Sequence, residues 1–62
     1  MNLYRVRIEG SSDYVVYMDA YCVVAEDFSM AIEKSKLKMY SNNGVNYVEV
    51  KNIELIEKDV VV

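Results

Sequence analysis

The spacing of hydrophobic and polar residues changes twice along the chain, and each change marks an element. From Leu3 to Glu9, apolar residues take every second position, with Tyr4, Val6 and Ile8 on one side and charged residues on the other. A period of two is typical of a half-buried β-strand. Turn-forming residues follow at 10–13, and apolar residues resume directly after them, so the pattern predicts a β-hairpin.

The second predicted strand, residues 14–24, is apolar on both sides. Its odd-numbered positions are interrupted by a single charge, at Asp19. Its even-numbered positions form an unbroken apolar face: Tyr14, Val16, Met18, Ala20, Cys22 and Val24. A strand with one face in water does not show this pattern. Either a bulge near Asp19-Ala20 exchanges the faces, or the second face is covered.

Helical spacing begins after Asp27 and places Phe28, Ala31, Ile32 and Met39 on one stripe. The pattern predicts a helix over about residues 27–40, because Asp27 is a favoured N-cap residue and residues 41–44 (Ser-Asn-Asn-Gly) tolerate the left-handed backbone that ends helices. The strand period returns over residues 45–56.

The third strand changes phase part-way along. Val48 and Val50 share one parity, whereas Ile53 and Leu55 share the other, which predicts a kink or bulge near Lys51-Asn52. Two interpretations of Val60–Val62 stay open: a short final strand or an exposed tail.

These elements predict one α+β domain over residues 1–62. We expect a three- to four-stranded, mainly antiparallel sheet with one helix packed on one face, in the order ββαβ or ββαββ. The predicted core comprises Tyr4, Val6, Ile8, the even-numbered residues of 14–24, Phe28, Ala31, Ile32 and Met39. A single helix covers only one side of such a sheet, which leaves the other side for a partner.

Size and composition favour self-association. A chain of 62 residues with one cysteine and no histidine forms no internal disulfide and lacks the commonest transition-metal ligand. A domain of this size buries only about 60% of its unfolded surface and is marginal alone. We therefore expect a homo-oligomer without metal or cofactor.

Charge and hydropathy limit the classes of partner and the cellular location that we expect. A net charge of −3 argues against nucleic acid, which needs a concentrated positive face. No apolar run approaches the ~20 residues that span a bilayer, and the N-terminus lacks a signal-peptide core. The lone Cys22 suits a reducing compartment. We expect a cytoplasmic protein and no membrane association.

No catalytic site emerges from the residue types. Glu26 and Asp27 stand where helix capping favours acids, and Glu49, Glu54 and Glu57 lie on a strand that needs a polar outer face. Cys22 has no histidine to activate it, and we interpret it as a buried small apolar residue. We therefore expect the protein not to be an enzyme.

An interaction surface is the strongest functional candidate. Aromatic residues are enriched at interfaces, since they bury much area at little entropic cost. The candidate residues are Arg5, Arg7, Val15, Tyr17, Tyr21 and Val23. The alternative for the apolar members is a second core layer.

Two other functions stay open at this point. Arg5 and Arg7 with Tyr17 and Tyr21 would suit weak single-stranded nucleic-acid binding. The lysines of the helix would suit a small ligand such as a nucleotide, bound or sequestered at a subunit junction.

Residues 21–40 resemble a pattern found in small, mostly uncharacterised phage and prophage proteins. There a hairpin leads into Val-x-Ala-acid-x-Phe-x-x-Ala, followed by a helix and a return strand; here the matching letters begin at Val23 and end at Ala31. The resemblance implies a phage-type accessory protein, which would bind or inhibit a host factor, and it assigns no functional residue.

Overall fold

A computed structural model describes residues 1–60 of the chain. Its elements, in chain order, are β1 (Asn2–Ser11), β2 (Val16–Ala25), α1 (Phe28–Asn43) and β3 (Tyr47–Glu57). The strands form one three-stranded sheet in the order β2-β1-β3, and both neighbouring pairs are antiparallel. The α+β class and the ββαβ order are confirmed.

A fourth strand is not present among residues 1–60. The Val60 N–H donates to the Met1 carbonyl at 2.7 Å, while Val61 and Val62, the rest of the predicted final strand or tail, lie outside the described residues.

The β1–β2 hairpin has a continuous register. Ser11 pairs with Val16 around the loop 12–15, where the Ser12 N–H donates to the Val15 carbonyl at 2.9 Å. The pairing runs without a shift to the other end of β1, so the bulge expected as one possibility near Asp19-Ala20 is not formed. The turn also lies two residues later than predicted, because Gly10 and Ser11 belong to β1.

The β1–β3 pairing contains the predicted irregularity. Arg7 pairs with Asn52 but Ile8 pairs with Val50, so Lys51 is the extra residue of a bulge. The prediction of a bulge near Lys51-Asn52 is confirmed. A second shift, which the sequence did not indicate, leaves Ile56 as an extra residue near Leu3 and Tyr4.

Both predicted caps of α1 are confirmed. The Asp27 side chain accepts a hydrogen bond from the Met30 N–H at 2.8 Å. Gly44 is left-handed, with φ of 60°, and its N–H donates to the Tyr40 carbonyl at 3.2 Å. The helix continues to Asn43 rather than ending at residue 40.

Replacing Asp27 by alanine is expected to lower the free energy of unfolding by about 1 kcal/mol, because the Met30 N–H loses its acceptor at the helix start. Asp27→Asn keeps a side-chain acceptor and is the matched control. Urea unfolding followed by circular dichroism measures both variants. Equal stability of Asp27→Ala and wild type would contradict a capping role.

The core lies between α1 and one side of the sheet. Predicted core residues Tyr4, Val6, Ile8, Ala31 and Met39 are buried, as expected. Small side chains allow the helix to approach closely: Ser35 is fully buried, and its hydroxyl donates to the Ala31 carbonyl at 2.9 Å. The remaining buried apolar residues are Val23, Ala25, Val45 and Val48.

The prediction that the even-numbered residues of β2 enter the core is wrong. Met18 is 73% exposed and Val16 61%, whereas Val23 is only 4% exposed. The cause is the hairpin register, which pairs the inward residues Tyr4 and Val6 with odd-numbered residues of β2. Tyr14, which lies in the turn, is also exposed.

Two predicted core residues of α1 are less buried than expected. Phe28 begins the helix and is 48% exposed, and its ring packs against Tyr4 at a ring-centroid distance of 5.0 Å. Ile32 is half-buried. Both residues cover the margin of the core rather than fill it.

Candidate functional site

The side of the sheet away from α1, here called the outer face, carries an apolar stripe along β2. Arg5, Arg7 and Glu9 of β1 point to this side because their neighbours Tyr4, Val6 and Ile8 point to the helix. Their cross-strand partners in β2 therefore share the outer face. We call the outer-face residues of β2 the β2 stripe: Val16, Met18, Ala20, Cys22 and Val24.

Ion pairs occupy the opposite half of the outer face. The Arg5 guanidinium contacts Glu54 Oε1 at 3.0 Å. Lys51 Nζ lies 2.9 Å from Glu49 Oε2 and 3.4 Å from Glu9 Oε2. Within residues 1–60, Arg7 has no ion-pair partner. The outer face is thus apolar along β2 and charged along β1 and β3.

The two carboxylates also affect the titration of Lys51. A hydrogen bond to Glu49, followed by its charge and then by the same effects of Glu9, raises the pKa of Lys51 above the usual 10.5. A raised folded-state pKa means that this stabilisation is fully present below pH 10.5 and is lost as the pH rises through the folded-state value. At neutral pH the lysine is charged and bridges β1 and β3.

A shallow open groove of about 620 Å³ runs across the outer face at the level of Arg7. Met18 and Ala20 form its apolar wall, while Lys51 and Asn52 form its polar wall. Since the groove has one apolar and one polar side, it suits an extended or flat binding partner better than an enclosed small substrate.

The β2 strand is also a free edge of the sheet. The Ser12–Val15 hydrogen bond fixes the ladder so that even-numbered residues of β2 direct their N–H and C=O groups away from β1. Two of these groups bond within the chain: the Ala20 N–H donates to Asp19 Oδ1 at 2.8 Å, and the Val24 carbonyl accepts from Lys34 Nζ at 2.7 Å. The other edge groups of β2 have no backbone partner in the part of the chain that the structure describes, residues 1–60.

The six candidate residues from the sequence do not form one surface. Arg5 and Arg7 lie on the outer face, whereas Val23 is buried beneath α1. Tyr21 is half-buried on the helix side, where Lys38 Nζ lies 5.9 Å from its ring centroid. Its hydroxyl has no hydrogen-bond partner among residues 1–60. The expected orientation is corrected for the same reason as the core: the hairpin register turns odd-numbered residues of β2 toward the helix.

The other two candidates, Val15 and Tyr17, are exposed, with Val15 in the turn and Tyr17 on the helix side of β2. Arg5 and Arg7 thus lie on the opposite side of the sheet from Tyr17 and Tyr21. The basic aromatic surface that single-strand binding would need is not assembled.

The β2 stripe is the feature that sequence reasoning missed as a surface. The unbroken apolar face was visible, but it was assigned to the core, and Cys22 was expected to be buried although it is exposed. The hairpin loop holds the missing signal. A loop with an even number of residues places even-numbered residues of β1 opposite odd-numbered residues of β2, and an odd-numbered loop does the reverse.

Comparison of the chain with protein-family models, curated proteins and solved structures finds no match. Within residues 1–60, no three His, Cys, Asp or Glu side chains come together as metal ligands. Over the same residues, no helix has both the length and the apolar character to cross a bilayer. The assignment of a function therefore depends on the outer face and the β2 edge.

Proposed function

We propose that the protein is a non-enzymatic interaction module that self-associates and acts by binding another protein. One observation supports this function most strongly: the β2 stripe is contiguous, exposed from Val16 to Cys22, and adjacent to an open strand edge. Single exposed apolar residues are ordinary on protein surfaces. A contiguous apolar column beside free backbone groups is a typical site for contact with another chain.

The energetics favour covering this stripe. Full burial of a valine or methionine side chain is worth about 1.5–3 kcal/mol. Val16 and Met18 are both largely exposed in the monomer. The monomer stability of so small a domain is only a few kcal/mol. Contact along the stripe would bury part of this apolar area and add to the small stability of the monomer.

A charge placed in the β2 stripe is expected to weaken self-association at least about tenfold, because Met18→Lys would set an ammonium group among the apolar side chains of the contact. Met18 pairs with Glu9 across the sheet, so the lysine gains an opposite charge within the monomer and the fold is retained. Sedimentation equilibrium over a range of concentrations measures the association.

Leu37→Lys is the matched control. Leu37 is 63% exposed on the far side of α1, so the substitution is chemically similar and lies away from the stripe. Wild type and Leu37→Lys should associate alike. A wild-type protein that stays monomeric at millimolar concentration would contradict the proposal, as would equal weakening by both lysines.

The binding of another protein rests on weaker grounds. The acidic charge of −3 would complement a basic surface on the partner. The resemblance of residues 21–40 to phage and prophage proteins supports a phage-type accessory protein that binds or inhibits a host factor. The single cysteine supports a cytoplasmic location. The same two variants test partner binding. If Met18→Lys no longer binds a purified partner while Leu37→Lys still binds it, the binding site is assigned to the β2 stripe.

One observation favours a second candidate, the binding of a small anionic ligand such as a nucleotide. Arg7 lines the outer groove and has no ion-pair partner within residues 1–60. Thermal unfolding with a panel of nucleotides, compared between wild type and Arg7→Gln, tests it. Stabilisation of wild type alone would support this site, and no stabilisation would remove it.

A further inference from the structure

We infer that β2 of one chain pairs antiparallel with β2 of a second copy, centred on Ala20. This inference rests on the proposed self-association and specifies its geometry. Two copies of the three-stranded sheet would join into a continuous six-stranded sheet, with the edge of β2 as the seam.

The two edges of the sheet differ in how well they are protected. Soluble proteins protect edge strands with charges, bulges or proline. The β3 edge has two register shifts and carries Glu49, Lys51, Glu54 and Glu57. The β2 edge has a continuous register and a single charged residue, Asp19. Pairing with another strand is therefore favoured at β2.

The direction of the backbone groups limits the register. Even-numbered residues of β2 present their N–H and C=O groups to the edge, so antiparallel pairing places even-numbered residues opposite even-numbered ones. Centring on Ala20 sets Met18 opposite Cys22, and Val16 opposite Val24, of the second copy. Every new contact between the two stripes on the outer face is then apolar.

Charge selects this register over its neighbours. With Ala20 at the centre, Asp19 lies opposite Tyr21 of the second copy. Within each chain, Lys38 Nζ lies 5.9 Å from the centroid of the Tyr21 ring. The Asp19 carboxylate thus comes within reach of Lys38 of the second copy, and the pair forms twice by symmetry. A centre at Asp19 would oppose two carboxylates, and a centre at Tyr21 would bring the two Lys38 ammonium groups together.

Asp19 has a different role in the separate chain. There its Oδ1 accepts from the Ala20 N–H at 2.8 Å and occupies an edge donor. Pairing would transfer the Ala20 N–H to the carbonyl of Ala20 in the second copy and release the carboxylate for Lys38. The same side chain protects the edge when alone and joins the contact when paired.

The joined sheet would present a wide apolar surface. An antiparallel pair related by a twofold axis perpendicular to the sheet keeps both copies of α1 on the same side. The two β2 stripes then lie side by side at the centre of the outer face, between the ion-paired columns of β1 and β3.

Disulfide trapping in the full-length chain tests the register. The α-carbons of a hydrogen-bonded antiparallel pair are about 5.5 Å apart, which suits a disulfide. Ala20→Cys, made together with Cys22→Ser, is expected to form a covalent dimer under mild oxidation. Asp19→Cys and Tyr21→Cys in the same Cys22→Ser background, and wild-type Cys22, report the neighbouring registers and should give little dimer.

A charge exchange tests the contact by a second route. Asp19→Lys and Lys38→Glu are each expected to weaken self-association about tenfold or more, and the double variant should recover most of the wild-type dissociation constant. Sedimentation that shows self-association, together with trapping at another position or no recovery in the double variant, would overturn the Ala20-centred pairing and leave the proposed function intact. A monomeric wild type would overturn both.

Discussion

Replacing Met39 by alanine is expected to lower the free energy of unfolding by about 2–5 kcal/mol. Met39 is fully buried and, with Ile8, Val45 and Val48, forms one of the two clusters of the core. Truncation at Cβ removes the side chain that fills the space between the end of α1 and the sheet.

This loss is large compared with the total. Natural domains are stable by about 0.05–0.15 kcal/mol per residue, or roughly 3–9 kcal/mol for a chain of this length. Met39→Ala is therefore expected to leave a protein that is partly unfolded at 37 °C. Urea unfolding at low temperature, followed by circular dichroism, measures the change.

Two controls separate cavity formation from other effects of the substitution. Met39→Leu retains most of the volume and should cost less than about 1.5 kcal/mol. Leu37→Ala removes an apolar side chain from the exposed side of the same helix and should change little. A Met39→Ala protein as stable as Leu37→Ala would show that this end of the core contributes almost nothing.

The elements and their ends could be predicted from local chemistry. Asp27 caps α1 because its carboxylate accepts from a backbone N–H three residues ahead, and Gly44 ends it in a left-handed conformation. Both interactions join residues that are only three or four positions apart in the chain. The bulge at Lys51 was predictable for the same reason, since the change of apolar parity across it lies within one strand.

The facing of β2 could not be predicted from the strand alone. Its even-numbered side is wholly apolar, yet that side lies in solvent, and Asp19 is on the side that faces the helix. Asp19 is accommodated because β2 is an edge strand and its carboxylate remains exposed. The register with β1 decides which side of β2 faces the helix. The loop lies two residues later than predicted, but its even number of residues still pairs even-numbered residues of β1 with odd-numbered residues of β2.

The position of the proposed interaction surface follows from the same cause. Because the odd-numbered residues of β2 face the helix, the most apolar side of the strand remains outside. The principle that one helix shields one side of a sheet, applied to the sequence, was sound. The residues assigned to the unshielded side were the wrong half of the strand.

Gly10 is the second site where a single substitution should have a large effect. A Cβ at Gly10 would stand 2.7 Å from Met39 Cγ, 2.8 Å from Met39 Sδ and 3.0 Å from Val45 Cγ2. Both neighbouring side chains are buried, so neither can swing into solvent. Gly10→Ala is expected to cost about 1–3 kcal/mol through overpacking.

Gly44→Ala provides a contrast, since a Cβ there meets no atom within 4 Å and the cost comes only from φ of +60°. That cost is about 1 kcal/mol or slightly more. It should be the same whether residue 39 is methionine or alanine, because no steric contact links residue 44 to the Met39 side chain.

A double-mutant cycle between Gly10 and Met39 gives the sharpest test of core packing. In the Met39→Ala background the two Met39 atoms nearest the new Cβ are gone and only Val45 Cγ2, at 3.0 Å, still approaches it. The added methyl group then fills part of the cavity. Gly10→Ala should therefore be destabilising in wild type but neutral or stabilising in Met39→Ala, with a coupling energy of about 1–3 kcal/mol. The Gly44→Ala cycle should be additive within about 0.5 kcal/mol. Additive effects of Gly10→Ala and Met39→Ala would mean that the Met39 side chain does not lie as close to Gly10 as the distance of 2.7 Å between an added Cβ and Met39 Cγ implies.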